Sequence, residues 1–149
     1  MTVQTQPLLR PIDLGGVVLD TPVILAPMSG VTDLPFRRLV RRLGAGLVIS
    51  EMIASWAMVR ENDTTLRMAE VADAGGPNAV QLAGCDPQAM AEAARIAVDR
   101  GADLIDINFG CPVKKVAVGQ MAGSALMRHG AAAQRMLQTV VKAVSVPVT

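Results

Sequence analysis

The stretch "PVILAPMSGVTDLPFRRL", residues 22–39, decides between two folds. Its first five residues form an apolar run that reads as a buried strand. Further on, Asp33 precedes Phe36, Leu39, Val40 and Leu43, which fall at helical spacing with Gly44 as a stop. The turn between strand and helix separates the candidates. A doubly wound dinucleotide fold needs a glycine-rich phosphate turn at this point. "APMSGVTD" carries one glycine and a proline, so that fingerprint is absent. A TIM barrel instead places functional residues at the C-terminal end of strand after strand.

Working outward, the alternation of strand and helix repeats. Apolar runs at 46–50, 79–83 and 104–108 read as further strands, and "VPVT" from Val146 begins another. "DPQAMAEAARIAVDRGAD" opens on Asp86 and Pro87, a cap followed by first-turn proline, and closes at Gly101. "AAAQRMLQTVVKAVS" sets Leu137, Val140, Val141 and Val144 on one helical face. A further helix is expected from near Ile53, fading in "RENDTT", and "DAGGPN" at 73–78 reads as a turn. Alternating strands and helices give βαβ units and a parallel sheet buried on both faces. Polar or reactive residues end each strand: Pro27-Met28-Ser29, Ser50-Glu51-Met52, Gln81, and Asn108 to Cys111. The barrel reading therefore prevails. A full barrel takes about 250 residues, whereas 149 supply four units and the start of a fifth strand. The expectation is the first half of a TIM barrel.

Composition narrows the function classes. A net charge of +1 gives no global basic field for nucleic acid, so such a partner would need a local patch. Two cysteines make no disulfide framework, and a reduced compartment is the natural reading. The N-terminal "MTVQTQPLLRPIDLGG" lacks the apolar core of a signal peptide, and no run approaches a membrane span. A cytoplasmic protein is expected.

"IDINFGCPVKK", residues 105–115, holds the most reactive candidate. Cys111 reads either as a small buried hydrophobe or, between Gly110 and Pro112 at a strand's end, as a chemical group. A thiol can donate a proton as well as attack. Cys85 lies at the same end of the preceding strand, but its Asp-Pro context is explained by helix capping. Gln81 and Asn108 interrupt apolar strands, and a buried amide is either a structural post or a reader of a flat heterocycle. Glu51 either orients a partner or faces solvent. Asp103 and Asp106 have no metal-ligand spacing to His129, so no metal site is expected. Arg37, Arg38, Arg41 and Arg42 read as a solvated helix face. Lys114 and Lys115 follow the cysteine on the rim, where they could meet phosphate.

Taken together, "APMSGVTDLPFRRL", "GLVISEMI", "VQLAGCDP", "GADLIDINFGCPVKKV" and "AGSALM" resemble the tRNA-dihydrouridine synthases, most closely the bacterial B-type, from about Ile12 to Thr149. The resemblance implies an FMN-binding TIM barrel followed by a helical domain that helps hold tRNA. It implies reduction of the C5=C6 bond of uridine in tRNA to 5,6-dihydrouridine, with NADPH reducing the flavin. By matching motif, Pro27, Met28 and Ser29 would line the flavin and Gln81 would hydrogen-bond its ring. Asn108 would hold the uracil and Cys111 would be the catalytic acid. Cys85 stands where the family pattern implies a small hydroxyl residue. Residues 1–149 would then be the N-terminal part of the barrel domain, lacking its second half, the strand with a flavin-contacting lysine, and the helical domain. Two rival readings are another FMN barrel reducing a free pyrimidine or an enoate, and a non-catalytic remnant.

Overall fold

A computed structural model describes residues 9–73, 75–117 and 122–149. The chain opens with a hairpin of β1 (Ile12–Leu14) and β2 (Val17–Leu19), then runs β3 (Ile24–Leu25), α1 (Leu34–Arg42), β4 (Leu47–Ile49) and β5 (Ile53–Ala54). It continues through α2 (Ser55–Val59), α3 (Asp63–Met68), β6 (Asn78–Ala83), α4 (Pro87–Asp99) and β7 (Leu104–Ile107). Last come α5 (Lys114–Ala117), a 3-10 helix over Gly123–Arg128, and α6 (Gly130–Ala143).

β3, β4, β6 and β7 lie side by side in chain order, all parallel. The order never reverses, as it must in a doubly wound sheet. The expected fifth strand is present at its start, where Val148 bridges Ile105 in parallel and Thr149 N donates to Ile105 O at 2.9 Å. β6 is buried at all six positions, as a strand covered on both faces must be. The main core joins Val80, Leu82 and Ile105 of the sheet to Met90 and a row of alanines on α4 and to Met136 and Val140 on α6. Small alanines let α4 lie close to its neighbours. A second cluster forms where Leu19 of the hairpin meets Leu47, Ala79 and Leu104 near the N-terminal ends of the strands. The hairpin thus closes the end opposite the functional rim.

The capping signals act as read. Asp33 Oδ1 accepts from Phe36 N at 3.0 Å, and Asp86 Oδ1 accepts from Gln88 N and Ala89 N at 2.8 and 3.0 Å. Other expectations need correction. The helix near Ile53 begins only at Ser55, because Ile53 and Ala54 pair with Leu82 and Ala83. "RENDTT" does not fade but starts α3, with the Asn62 side chain accepting from Thr64 N and Thr65 N. The hairpin was absent from the sequence reading, although Gly15 and Gly16, both at positive φ, form the two-residue turn that joins its strands.

The largest correction is α1. Leu39 and Leu43 are exposed, while Arg37 and Arg41 are buried. Arg37 donates to the carbonyls of Thr32, Glu70 and Met68 at 3.1, 2.7 and 3.1 Å. Arg41 donates to Ala45 O and Gly46 O at 2.9 and 2.7 Å, and to Pro77 O. Both guanidinium pKa values are lowered, chiefly by desolvation. A planar fork with five donors can gather carbonyls from loop ends that no aliphatic side chain could satisfy. Only Arg38 and Arg42 are solvated as expected. On α6, Val140 is buried, but Val141 is exposed.

Candidate functional site

The turn that decided the fold is also the first wall of the site. Met28 O accepts from Val31 N and Thr32 N, both at 3.0 Å, and Met28 N donates to Thr32 Oγ1 at 3.0 Å. Thr32 is fully buried, which fixes this loop from beneath. Gly30 turns at φ +76°, a left-handed conformation that glycine adopts without strain. Its N–H donates to Glu51 Oε2 at 2.6 Å. Of the two readings of Glu51, the structure supports the first: it orients a partner loop.

Glu51 reaches that loop because the second strand is broken. β4 pairs with β6 as Val48↔Asn78 and Ile49↔Ala79, whereas β5 resumes as Ile53↔Leu82 and Ala54↔Ala83. The register slips by one residue between them, the signature of a bulge that re-aims side chains. Within it, Ser50 Oγ accepts from Gln81 N at 3.0 Å and donates to Glu51 O at 2.9 Å.

Gln81 and Asn108 meet at the centre. Gln81 Oε1 accepts from Asn108 Nδ2 at 2.9 Å, and Gln81 Nε2 donates to Asp106 Oδ2 at 2.5 Å. Asp106 Oδ1 accepts from Thr149 Oγ1 at 2.9 Å. Asn108 Oδ1 accepts from Gly110 N at 3.2 Å and Cys111 N at 2.9 Å, so this amide clamps the turn that carries the thiol. From the other side, Ser124 N donates to Cys111 O at 3.1 Å. The contact depends on Gly123, where a Cβ would lie 2.7 Å from Cys111 O.

These residues border a cavity of about 440 Å³ that Pro27, Ser29, Met52, Gln81, Phe109 and Cys111 help to line. A volume of that order suits a small-molecule site. Hydrogen-bond capacity remains after the internal network is counted. Gln81 keeps one N–H and one lone pair, and Asn108 keeps one N–H. Cys111 is half-buried beside them. One neighbourhood thus offers donor, acceptor and thiol to a flat polar ring.

The sequence-predicted residues divide. Pro27, Ser29, Gln81, Asn108 and Cys111 share the cavity. Met28 lies outside its lining, with its backbone groups engaged in the loop. Lys114 is exposed at the start of α5 and does not line the cavity. The side chain of Lys115 lies outside the described residues. Cys85 is exposed and borders a separate cavity. Ser50 was among the strand-end residues singled out, whereas Asp106 and Gly123 were missed as site residues. Asp106 alone left a signal, as a carboxylate inside an apolar strand. Among the described residues no three His, Cys, Asp or Glu side chains group as metal ligands, and no helix is long and apolar enough to cross a membrane.

Fold and site together define the class: a partial TIM barrel with its cavity at the C-terminal ends of the strands. Solved structures share that architecture. One is histamine dehydrogenase from Rhizobium sp. 4-9, with a TM-score of 0.64, 13% identity, and coverage of 95% of this chain and 33% of that one. Another is morphinone reductase, with a TM-score of 0.57, 13% identity, and coverage of 89% and 57%. At such identities the likeness is one of fold.

The family model for dihydrouridine synthase matches residues 24–149, and the chain belongs to that family. A "Probable tRNA-dihydrouridine synthase" of Rickettsia bellii is 54% identical over 139 residues, covering 93% of this chain and 42% of that protein. One of the same description from Rhodobacter capsulatus is 53% identical over 139 residues, covering 93% and 43%. A "tRNA-dihydrouridine synthase B" of Pasteurella multocida is 50% identical over 137 residues, covering 91% and 41%. The chain therefore spans about 42% of the length of the curated relatives it matches.

Proposed function

We propose that this chain forms the N-terminal part of a flavin-dependent reductase that converts uridine in tRNA to 5,6-dihydrouridine, with Cys111 as proton donor. The observation that carries the reading is the convergence of Gln81, Asn108 and Cys111 on one cavity, each amide with hydrogen-bond capacity to spare. The residues fit an isoalloxazine ring. Its polar edge needs donors and acceptors side by side, which Gln81 offers, and its apolar portion would rest near Pro27 and Met52. FMN, recharged by NADPH, supplies hydride chemistry when bound.

The chain's own residues do the rest. Asn108 donates its remaining N–H to the uracil and fixes the base against the Cys111 turn. As C6 gains hydride and the C5=C6 bond becomes single, the thiol of Cys111 gives its proton to C5, and solvent later restores it. That is general acid catalysis by a positioned group. Lys114, exposed three residues beyond the thiol, would meet RNA phosphate. Dihydrouridine formation in tRNA, assayed beside free uridine and an enoate in a full-length protein containing this sequence, tests the proposal. Turnover of tRNA alone is expected. Equal turnover of free uridine would transfer the site to a small-molecule reductase.

A further inference from the structure

A second cavity, of about 450 Å³, lies farther along the same two strands. Ala54 follows Met52 by two positions and Gly84 follows Gln81 by three, so the cavities are about 7–10 Å apart along the strands. Its walls are mostly apolar and small: Ala54, Ala57 and Gly84. Two side chains stand out. Trp56, the one tryptophan in the sequence, is 50% exposed. The Arg60 guanidinium sits 5.9 Å from its ring centroid, held there by the four-residue spacing across one helical turn. At the wall, Ser55 is buried, and its Oγ has no hydrogen-bond partner among the described residues. A Cβ at position 84 would lie 2.3 Å from that oxygen, so glycine leaves the hydroxyl in place and the backbone bare.

We propose that this cavity is a nucleotide subsite, in which an RNA base beside the target uridine stacks on Trp56 while Arg60 neutralises its phosphate. The inference rests on reading the first cavity as the uridine-reducing site. An exposed indole beside a guanidinium is the combination that holds splayed single-stranded bases. The small apolar walls offer little to read a base edge, so stacking here tolerates any base.

Trp56 reports on its own occupancy, because no other tryptophan contributes to the emission. Unlabelled tRNA titrated into the full chain should quench that fluorescence saturably, while anisotropy of fluorescein-labelled tRNA measures overall binding. W56L should weaken the anisotropy affinity roughly tenfold, and W56F much less. R60Q should lower the salt dependence of binding by about one unit of slope. Quenching of the unmutated protein needs no variant to fold, and circular dichroism checks the variants. If labelled tRNA binds but Trp56 stays unquenched and W56L keeps its affinity, the subsite is refuted and the uridine reading survives. Saturable quenching by NADPH without quenching by tRNA would assign the cavity to the dinucleotide and also refute it. If labelled tRNA does not bind at all, the subsite is refuted, while the uridine reading is still decided by turnover in the full-length protein.

Discussion

Asn108 stands three residues before Cys111 and holds it, accepting the N–H groups of both Gly110 and Cys111. Its role is wider than the base-reading one implied by the resemblance, since the same amide also donates to Gln81. Removing it should free the thiol turn and strand a buried acceptor. Asn108→Ala is expected to cost about 1–3 kcal/mol in urea unfolding. In a Cys85→Ser background, where Cys111 is the remaining thiol, it should also speed labelling by a thiol reagent several-fold. Unchanged labelling would mean that the Ser124–Cys111 contact holds the turn by itself. Cys111 carries the sharper prediction. In a flavin-loaded, full-length enzyme, Cys111→Ala should leave reduction by NADPH nearly unchanged, because that half-reaction needs no proton delivered to uracil. Reoxidation by tRNA should slow by roughly 10²–10⁴-fold. Stopped-flow traces of the two halves separate the outcomes, and equal slowing of both would make the thiol a packing residue.

At the scale of elements, what could be read in advance depended on local physics. Asp33 and Asp86 announce their helices because a cap needs only the next three residues. The parallel strands were legible because burial on both faces demands unbroken Val, Ile and Leu. Arg37 and Arg41 were misread because their partners include carbonyls from distant segments: Met68 at the end of α3, Glu70 just past it, and Pro77 before β6. No helical periodicity encodes that. The bulge at Ser50–Met52 and the approach of Gly123 to Cys111 were hidden for the same reason. Of the site, the cavity residues at strand ends were legible, but the network joining them through Asp106 was not. The buried arginine makes a test at this scale. Arg37→Met would leave the carbonyls of Thr32, Met68 and Glu70 without their donor, and should destabilise by about 3 kcal/mol or more in urea. Arg38→Met, one residue along but solvated, should stay within about 0.5 kcal/mol. Equal effects at the two positions would show that the Arg37 carbonyl contacts contribute nothing.

For the whole molecule, the open side of the sheet governs behaviour. β3 pairs with β4 along one edge, and among the described residues no strand covers its other edge. Val23 and Ile24 are 49% and 45% exposed there, and Leu39 of α1 and Leu43 at its C-cap add 44% and 78% exposed apolar side chains. Unpaired strand edges and uncovered apolar rows invite pairing with other copies. Closing a barrel removes such edges, and the relatives matched here are more than twice as long. The 149-residue polypeptide is therefore expected to self-associate with rising concentration in sedimentation velocity. A lysine at an exposed edge or helix position should oppose this without touching the core, so Ile24→Lys with Leu43→Lys should return it toward a monomer with unchanged far-ultraviolet dichroism. That monomer should hold FMN only weakly, because the rim of these few strands walls the cavity on one side alone. Titration by flavin fluorescence quenching decides it: a monomer that binds FMN at micromolar affinity or better would show that this part of the barrel completes the flavin site unaided.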